Sequence, residues 1–216
     1  MPGLIIGVDL SGPANAADTA LAWFEDQGDR LVFVDAVIGA HDEQLVRAAQ
    51  GLISRGHVIV GIDAPLSYND GGGDRPSDAA LRNRVVRAGM RSGSVMTPTA
   101  SKMAYLTLRG ISVARALESI GVPRASIVEV HPGAALALHG APLDLVRAFK
   151  GDAAPRVGLL QWMQAIGVCG VPDSMASASH SIAACGAALA AWRWRNGAAE
   201  WTWKADPPLH PYDFVC

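Results

Sequence analysis

The sequence predicts an α/β protein in which helices flank a mixed β-sheet. Short apolar runs at residues 4–10, 58–62 and 126–130 have the composition of buried strands. A helical segment separates the second run from the third, which is typical of parallel strands joined by crossover connections. Two further strand patterns surround a turn at residues 26–29 and directly follow the first run. An antiparallel pair therefore joins the parallel strands, and the sheet is mixed.

The remaining elements follow from local patterns taken in chain order. The antiparallel strands are predicted over residues 19–25 and 30–37. A helix is predicted over residues 41–55, because apolar residues recur there at helical spacing and Gly56 provides a stop. Residues 66–102 are rich in Gly, Ser, Pro and Arg, and long irregular segments of this kind are usually functional or mobile. Further helices are predicted over residues 77–88, 112–120, 133–139, 155–166 and 177–195, and a last strand over residues 200–204.

Composition limits the classes of protein to which the chain can belong. Its 216 residues are enough for one domain with a full core, and a hydrophobic share of 50% with 18% charged residues excludes a disordered chain. The formal net charge of −2 means that any binding of anions must be local. The three cysteines form no CxxC pair, and no apolar run is long enough to cross a bilayer. A strand begins almost at once, which leaves no room for a signal peptide, so we expect a cytoplasmic protein without a membrane partner.

Three carboxylates lie at equivalent places in the sequence. Asp9, Asp63 and Glu129 each end a buried strand, in the sequences GVDLSG, GIDAPLS and VEVHPG. Ligands of open α/β sheets bind at the carboxyl ends of the strands. Clustered carboxylates repel one another and must either take up a proton or bind a cation. The pattern predicts a site for Mg²⁺ or Mn²⁺ with these three residues as ligands. The alternative, that each is only a turn residue at the end of its strand, stays open.

The segment after Asp63 adds a local basic patch to an acidic chain. Its cations are opposed only by Asp74 and Asp78, and they are Arg75, Arg82, Arg84, Arg87, Arg91 and Lys102. Arginine suits phosphate recognition, because its planar group donates two hydrogen bonds to one anion. The alternative is a solvated helix face with an Asp78–Arg82 pair. The candidate substrate-binding residues are Ser11, Ser67, Arg75, Arg82 and His131.

The last long helix supplies a fourth candidate for the catalytic site. His180 lies in its first turn, on the same face as Ser179 and Ala183. The small residues that follow predict close packing against the sheet, which would hold His180 near the carboxylates. A histidine in this place can be a metal ligand, a proton carrier or a surface residue.

These motifs together resemble the DUF429 family, a group described as predicted nucleases with a ribonuclease-H-like fold. The resemblance covers residues 4–195 and rests on GVDLSG, GIDAPLS, the Asp78-x-x-x-Arg82 pattern, EVHPGAALA and the late helix of small residues. It implies a single ribonuclease-H-like domain over residues 1–216, with a five-stranded mixed sheet whose first three strands are antiparallel. It also implies metal-dependent phosphodiester chemistry, with Asp9 on the central first strand and Asp63 on the neighbouring fourth.

The resemblance also implies a role for the last helix. Holliday-junction resolvases of the same superfamily place acidic residues there, or a His and an Asp three residues apart, and His180 matches the first of these positions. The family usually carries a D-x-x-x-D pattern at the start of this helix. In this chain the matching positions are Ser179 and Ala183, and the alanine cannot bind a metal.

Three hypotheses about function follow. The first is a metal-dependent hydrolase that cleaves phosphodiesters of nucleic acid, in which Asp9 bridges two ions, Asp63 and Glu129 complete their coordination, and His180 fills a position or relays a proton. The second is a nucleotide-dependent phosphotransferase or ATPase of the actin-like type, with the DLSG sequence on the phosphates and a homodimer framing the cleft. The third is a binding module that keeps the fold, with its chemistry lost at Ala183.

Overall fold

The computed structural model describes residues 3–121 and 124–216. In this part of the chain, one mixed sheet of eight strands has the order β6-β3-β2-β1-β4-β5-β8-β7. The strands are β1 (Gly3–Asp9), β2 (Ala20–Asp26), β3 (Leu31–Ile38), β4 (Val58–Asp63), β5 (Ala125–Val130), β6 (Val168–Cys169), β7 (Thr202–Trp203) and β8 (Asp213–Val215). Strands β1, β2 and β3 are antiparallel neighbours, whereas β4 runs parallel to β1 and β5 parallel to β4.

Helices cover both faces of the sheet. They are α1 (Asp42–Ile53), α2 (Pro76–Arg87), α3 (Ala104–Gly121), α4 (Pro132–Leu138), α5 (Leu143–Ala148), α6 (Ala153–Ala165) and α7 (Ser179–Arg195), and short 3-10 helices form at Pro13–Asp18, Ser92–Ser94 and Asp173–Ser177. On one face, α7 packs against β1, β2 and β4, and on the other a separate apolar cluster joins α1 and α3 to the sheet. Within the described residues, no helix has the length and hydropathy needed to cross a membrane.

Two glycines of the central strands let α7 approach the sheet closely. A Cβ atom at Gly7 would lie 1.9 Å from the carbonyl oxygen of Ala184, and one at Gly61 would lie 2.6 Å from that of Ala187. Neither strand could therefore carry a larger residue without moving the helix. The close packing expected from the small residues of this helix is present, and it fixes where the N-terminus of α7 meets the strand ends.

The predicted α/β class with a mixed sheet is confirmed, but the sheet is larger than the five strands expected. Of the additional strands, β7 lies within the strand predicted over residues 200–204. Strands β6 and β8 have only two and three residues, too few for a periodic pattern to be recognised in the sequence. Helix α3 begins at residue 104 and not at 112, and α5, with six residues, was not predicted. Both differences matter because these segments contribute to the site described below.

Candidate functional site

A cleft of about 840 Å³ opens at the carboxyl ends of β1, β4 and β5. The strands contribute Asp9, Asp63 and Glu129 to its lining, and the start of α7 contributes Ser179 and His180. The other walls come from the loop after α2, the start of α4 and the end of α5. This is the edge of the sheet at which α/β proteins bind their ligands.

Asp9 and Asp63 face one another across neighbouring parallel strands. They are register partners, so both side chains emerge at the same level and on the same face of the sheet. A hydrogen bond joins the two carboxyl groups, which requires that one of them be protonated. Gly7 and Gly61, two residues earlier in each strand, face α7, so the carboxyl pair also lies on the α7 face.

Burial dominates the electrostatics of this pair. Desolvation raises the pKa of Asp9 to about 7, against which the hydrogen bond from Asp63 and the nearby charge of Lys150 act. Desolvation and the charge of Asp9 hold the pKa of Asp63 well above its ordinary value, although His131 and Lys150 lower it. Negative charge on these two carboxyl groups is therefore unfavourable, and a bound cation would offset it.

His180 contacts the pair from the first turn of α7. Its Nδ1 atom lies 2.6 Å from Oδ2 of Asp9, and its Nε2 atom lies 3.8 Å from Oδ1 of Asp18. The side chain is 35% exposed, so the ring connects a buried carboxylate with solvent. The sequence-based expectation that the small residues of α7 would hold this histidine near the carboxylates agrees with its position.

Glu129 does not join the pair, because its side chain leaves the strand on the opposite face. Its register partner in β4 is Ile62, one residue before Asp63, and a shift of one residue reverses the direction of a strand side chain. There, both carboxylate oxygens are engaged: Nη2 of Arg75 donates to Oε1 at 2.5 Å, and Nη1 of Arg75 and the backbone N–H of Leu66 donate to Oε2 at 2.8 Å each.

The predicted metal site of Asp9, Asp63 and Glu129 is therefore not formed in this structure. Across residues 3–121 and 124–216, no three His, Cys, Asp or Glu side chains are arranged so that they could hold a metal ion together. The physical reason is the register of β5, which turns Glu129 toward Arg75.

Arg75 and Arg82, predicted to bind substrate, are occupied by carboxylates of the chain itself. Arg75 is only 3% exposed and also donates to both carboxylate oxygens of Asp78. Arg82 forms a two-pronged pair with Asp74 and donates to the carbonyl of Val95, so the alternative Asp78–Arg82 pair is not what this arginine forms. Neither guanidinium group is free to donate two hydrogen bonds to a phosphate. The predicted binding role gains no support from this geometry.

The other predicted substrate-binding residues have structural partners. Ser11 is not part of the cleft lining, and its Oγ lies 2.9 Å from Oγ1 of Thr19 and accepts a hydrogen bond from Arg109. Ser67 Oγ accepts a hydrogen bond of 3.0 Å from Arg75 and lies 2.8 Å from Nδ1 of His210. These contacts anchor the loops that follow β1 and β4.

His131 lines the cleft and joins two of its walls. Its Nδ1 atom accepts a hydrogen bond from the backbone N–H of Ala134, so the proton lies on Nε2, which donates to the carbonyl of Ser94 at 2.6 Å. The ring thereby connects the start of α4 with the loop after α2.

Sequence reasoning missed Lys150 and Arg147 altogether. Both line the cleft at and just after α5, a helix too short to be predicted, and Lys150 is close enough to lower the pKa of both Asp9 and Asp63. The sequence LVRAFK could have identified them, because Arg147 and Lys150 are three residues apart, a spacing that puts both on one face of a helix.

Comparison with known proteins gives one match. The model of a family described as "Protein of unknown function (DUF429)" matches residues 7–207 of the chain. No curated protein and no solved structure matches the chain.

Proposed function

We propose that this chain, which belongs to the DUF429 family, is a metal-dependent phosphodiester hydrolase acting on nucleic acid, with Asp9 and Asp63 as the ligands of Mg²⁺ or Mn²⁺. One observation carries the proposal: the buried Asp9 and the half-buried Asp63 lie in hydrogen-bond contact at the inner end of an open cleft, and no lysine or arginine of the described residues pairs with either of them. Without a cation the pair must keep a proton, whereas a divalent cation would let both carboxyl groups ionise.

A site with only two carboxylate ligands suits Mg²⁺ better than a metal ion that is bound by protein ligands alone. Mg²⁺ is commonly held by one or two carboxylates, and water and substrate phosphates complete its octahedron. A third protein ligand is therefore not required, and the engagement of Glu129 by Arg75 does not count against the proposal. The bound metal would supply an activated water and stabilise the charge that develops on the phosphoryl oxygens.

The residues of the chain would orient the site and handle the proton. With Asp9 ionised by the metal, Nδ1 of His180, 2.6 Å from Oδ2 of Asp9, would donate to this oxygen and fix the orientation of the carboxylate. The half-exposed Nε2 side of the ring would exchange a proton with solvent. Lys150 brings a positive charge to the same end of the cleft, where a phosphate would lie.

A ribonuclease-H-like fold is part of the same proposal. The central strands have the order β3-β2-β1-β4-β5, with the first three antiparallel and β4 beside β1. This arrangement agrees with what the family resemblance implies and supports the assignment, with the short strands β6, β7 and β8 as additions at the two edges.

A binding module without catalysis is the second candidate. Ala183 and Ser179 line the cleft where the family usually carries acidic residues, and neither supplies a carboxylate. The actin-like alternative has no comparable support, because Ser11 of the DLSG sequence turns toward Thr19 and Arg109 and away from the cleft.

Metal titration followed by a cleavage assay tests the proposal. Because a ligand that binds only the folded state raises its stability, Mn²⁺ at 100 times its Kd should stabilise the protein by about 2.7 kcal/mol in a melting experiment. The same preparation should cleave members of a panel of single-stranded, duplex and branched DNA and RNA. A Mn²⁺-dependent shift without cleavage would favour the binding module, and the absence of both would reject a metal site at Asp9 and Asp63.

A further inference from the structure

Three cations of the cleft are free of the internal ion pairs that engage Arg75 and Arg82. They are Arg91 in the loop after α2, and Arg147 and Lys150 at and just after the end of α5, and none of them is in an ion pair with a carboxylate of the described residues. All three are exposed, whereas Asp9 is buried. They therefore form a cationic rim above the carboxyl pair.

The two segments that carry this rim are in contact. The guanidinium group of Arg147 donates to the carbonyl of Gly89, two residues before Arg91. On the inner side, the charge of Lys150 reaches both Asp9 and Asp63. The rim consequently extends from the outer loop to the carboxyl pair, and an anion bound to it would lie beside that pair.

The remaining wall of the cleft is apolar and rich in methionine. It is formed by Met90, Met96, Met103, Leu106 and Phe149. Met90 lies close to Gly133, since its Cε atom is 3.7 Å from the place that a Cβ would take there. Methionine is flexible and polarisable, which suits it to contact with a flat aromatic ring. Met96 is 42% exposed, so part of this apolar surface is open to a ligand.

We infer that the cleft binds one nucleotide unit of a single-stranded phosphodiester, with the phosphate on Arg91, Arg147 and Lys150 and the base against Met90, Met96 and Met103. Its volume of about 840 Å³ falls within the usual range for small-molecule sites, roughly 300–1,000 Å³, and is too small for a duplex. The net charge of −2 provides no wider field to hold a long polyanion. As a substrate assignment this rests on the proposed function, but the binding it predicts needs no metal.

Binding of the phosphorylated dinucleotide pTpT in EDTA tests the inference without catalysis. Calorimetry should show binding to the native protein, and Lys150→Met should weaken it about tenfold because a charge-assisted hydrogen bond is lost. Lys102→Met is the matched control: this lysine is exposed and outside the cleft lining, so its removal should leave the affinity unchanged. Lys150→Arg should retain most of the affinity, since the charge is kept.

The apolar wall has its own test. Met96→Ser should weaken binding of pTpT about fivefold but leave binding of an abasic analogue with the same phosphates unchanged, since it removes only the contact with the base. Equal losses for Lys150→Met and Lys102→Met, or binding of a duplex oligonucleotide as tight as that of pTpT, would overturn the inference.

Hydrolysis of bis(p-nitrophenyl) phosphate separates this inference from the proposed function. Mn²⁺-dependent hydrolysis of this diester, combined with no binding of pTpT, would refute the nucleotide site and leave the hydrolase standing. Binding of pTpT that depends on Lys150, combined with no Mn²⁺-dependent hydrolysis of either diester, would refute the hydrolase and support the nucleotide site.

Discussion

The same edge of the sheet holds two carboxylate sites that differ in their partners. On the α7 face, the buried Asp9 and the half-buried Asp63 lie together, and burial raises the pKa of both. Among the described residues no lysine or arginine pairs with either of them, and His180 is the neighbour of Asp9. On the other face, the buried carboxylates of Glu129 and Asp78 both pair with Arg75. A single step in strand register separates the two environments.

The difference indicates which of the two sites contributes to stability and which is a candidate for function. The cluster of Arg75, Glu129 and Asp78 has every carboxylate oxygen hydrogen-bonded and holds the backbone of Leu66, as a structural element does. The Asp9–Asp63 pair must hold a proton or bind a cation, and sites with such shifted pKa values are candidates for function. The two sites should therefore respond in opposite ways to substitution.

The largest effect is expected from removal of Asp9. Asp9→Asn loses the carboxylate that would hold the metal, so Mn²⁺-dependent cleavage of nucleic acid should fall by roughly a thousandfold or more. Asp35→Asn is the matched control, because Asp35 is an exposed carboxylate on β3, away from the cleft. If Asp9→Asn cleaved as fast as the native protein, Asp9 would not be a metal ligand.

The Arg75 cluster should show the next largest effect, on stability. Arg75→Ala leaves the buried Glu129 and Asp78 without a cationic partner, which costs about 3–5 kcal/mol and should lower the Tm by roughly 10 °C. Arg84→Ala on the same helix removes an exposed arginine and should change the stability by less than about 0.5 kcal/mol. Similar melting curves for the two variants would contradict the structural role of Arg75.

His180 is expected to have a smaller effect, through Asp9. Because groups that orient a metal ligand typically contribute 10–100-fold to metal affinity, His180→Ala should raise the apparent Kd for Mn²⁺ by about that factor. His180→Asn keeps a donor that can reach Asp9 and should recover part of the loss. His57→Ala, at the opposite end of β4, is the control, and an equal change there would remove His180 from the site.

The Asp9–Asp63 pair could be predicted from sequence because two strands carry the same local pattern. In both, a glycine comes two residues before the aspartate, and parallel pairing puts Gly7 level with Gly61 and hence Asp9 level with Asp63. The glycines also signal the close approach of α7. The α/β fold class, the central strands and the position of His180 could all be predicted from local sequence patterns of this kind.

Glu129 could not be placed correctly by the same reasoning. Strand β5 has no glycine that would mark its α7 face. Its register depends on how β5 pairs with β4, which the sequence of β5 alone does not determine. Val130, not Glu129, is level with Asp63 by continuation of the register. Lys150 was missed because α5 is too short to show a period, and the arginines after Asp63 look alike in sequence although Arg75 is buried and Arg91 is exposed.

The smallest expected effect is a gain of stability with a defined pH dependence. In the unfolded chain both aspartates lose their protons near pH 3.8, whereas in the folded state burial raises the pKa of Asp9 to about 7 and holds the pKa of Asp63 well above its ordinary value. Between these limits the folded state binds more protons than the unfolded state, so the free energy of unfolding falls as the pH rises.

Asp63→Asn removes one of the two ionisations and keeps a donor to Asp9. In EDTA the variant should melt at the same temperature as the native protein at pH 4 and a few degrees higher, roughly 2–6 °C, at pH 8. Mn²⁺ should stabilise only the native protein and reverse the order at pH 8. A Tm difference that stays constant from pH 4 to pH 8 would mean that the two carboxyl groups do not repel each other. The assignment of the Asp9–Asp63 pair as the functional site, which rests on this repulsion, would then fail.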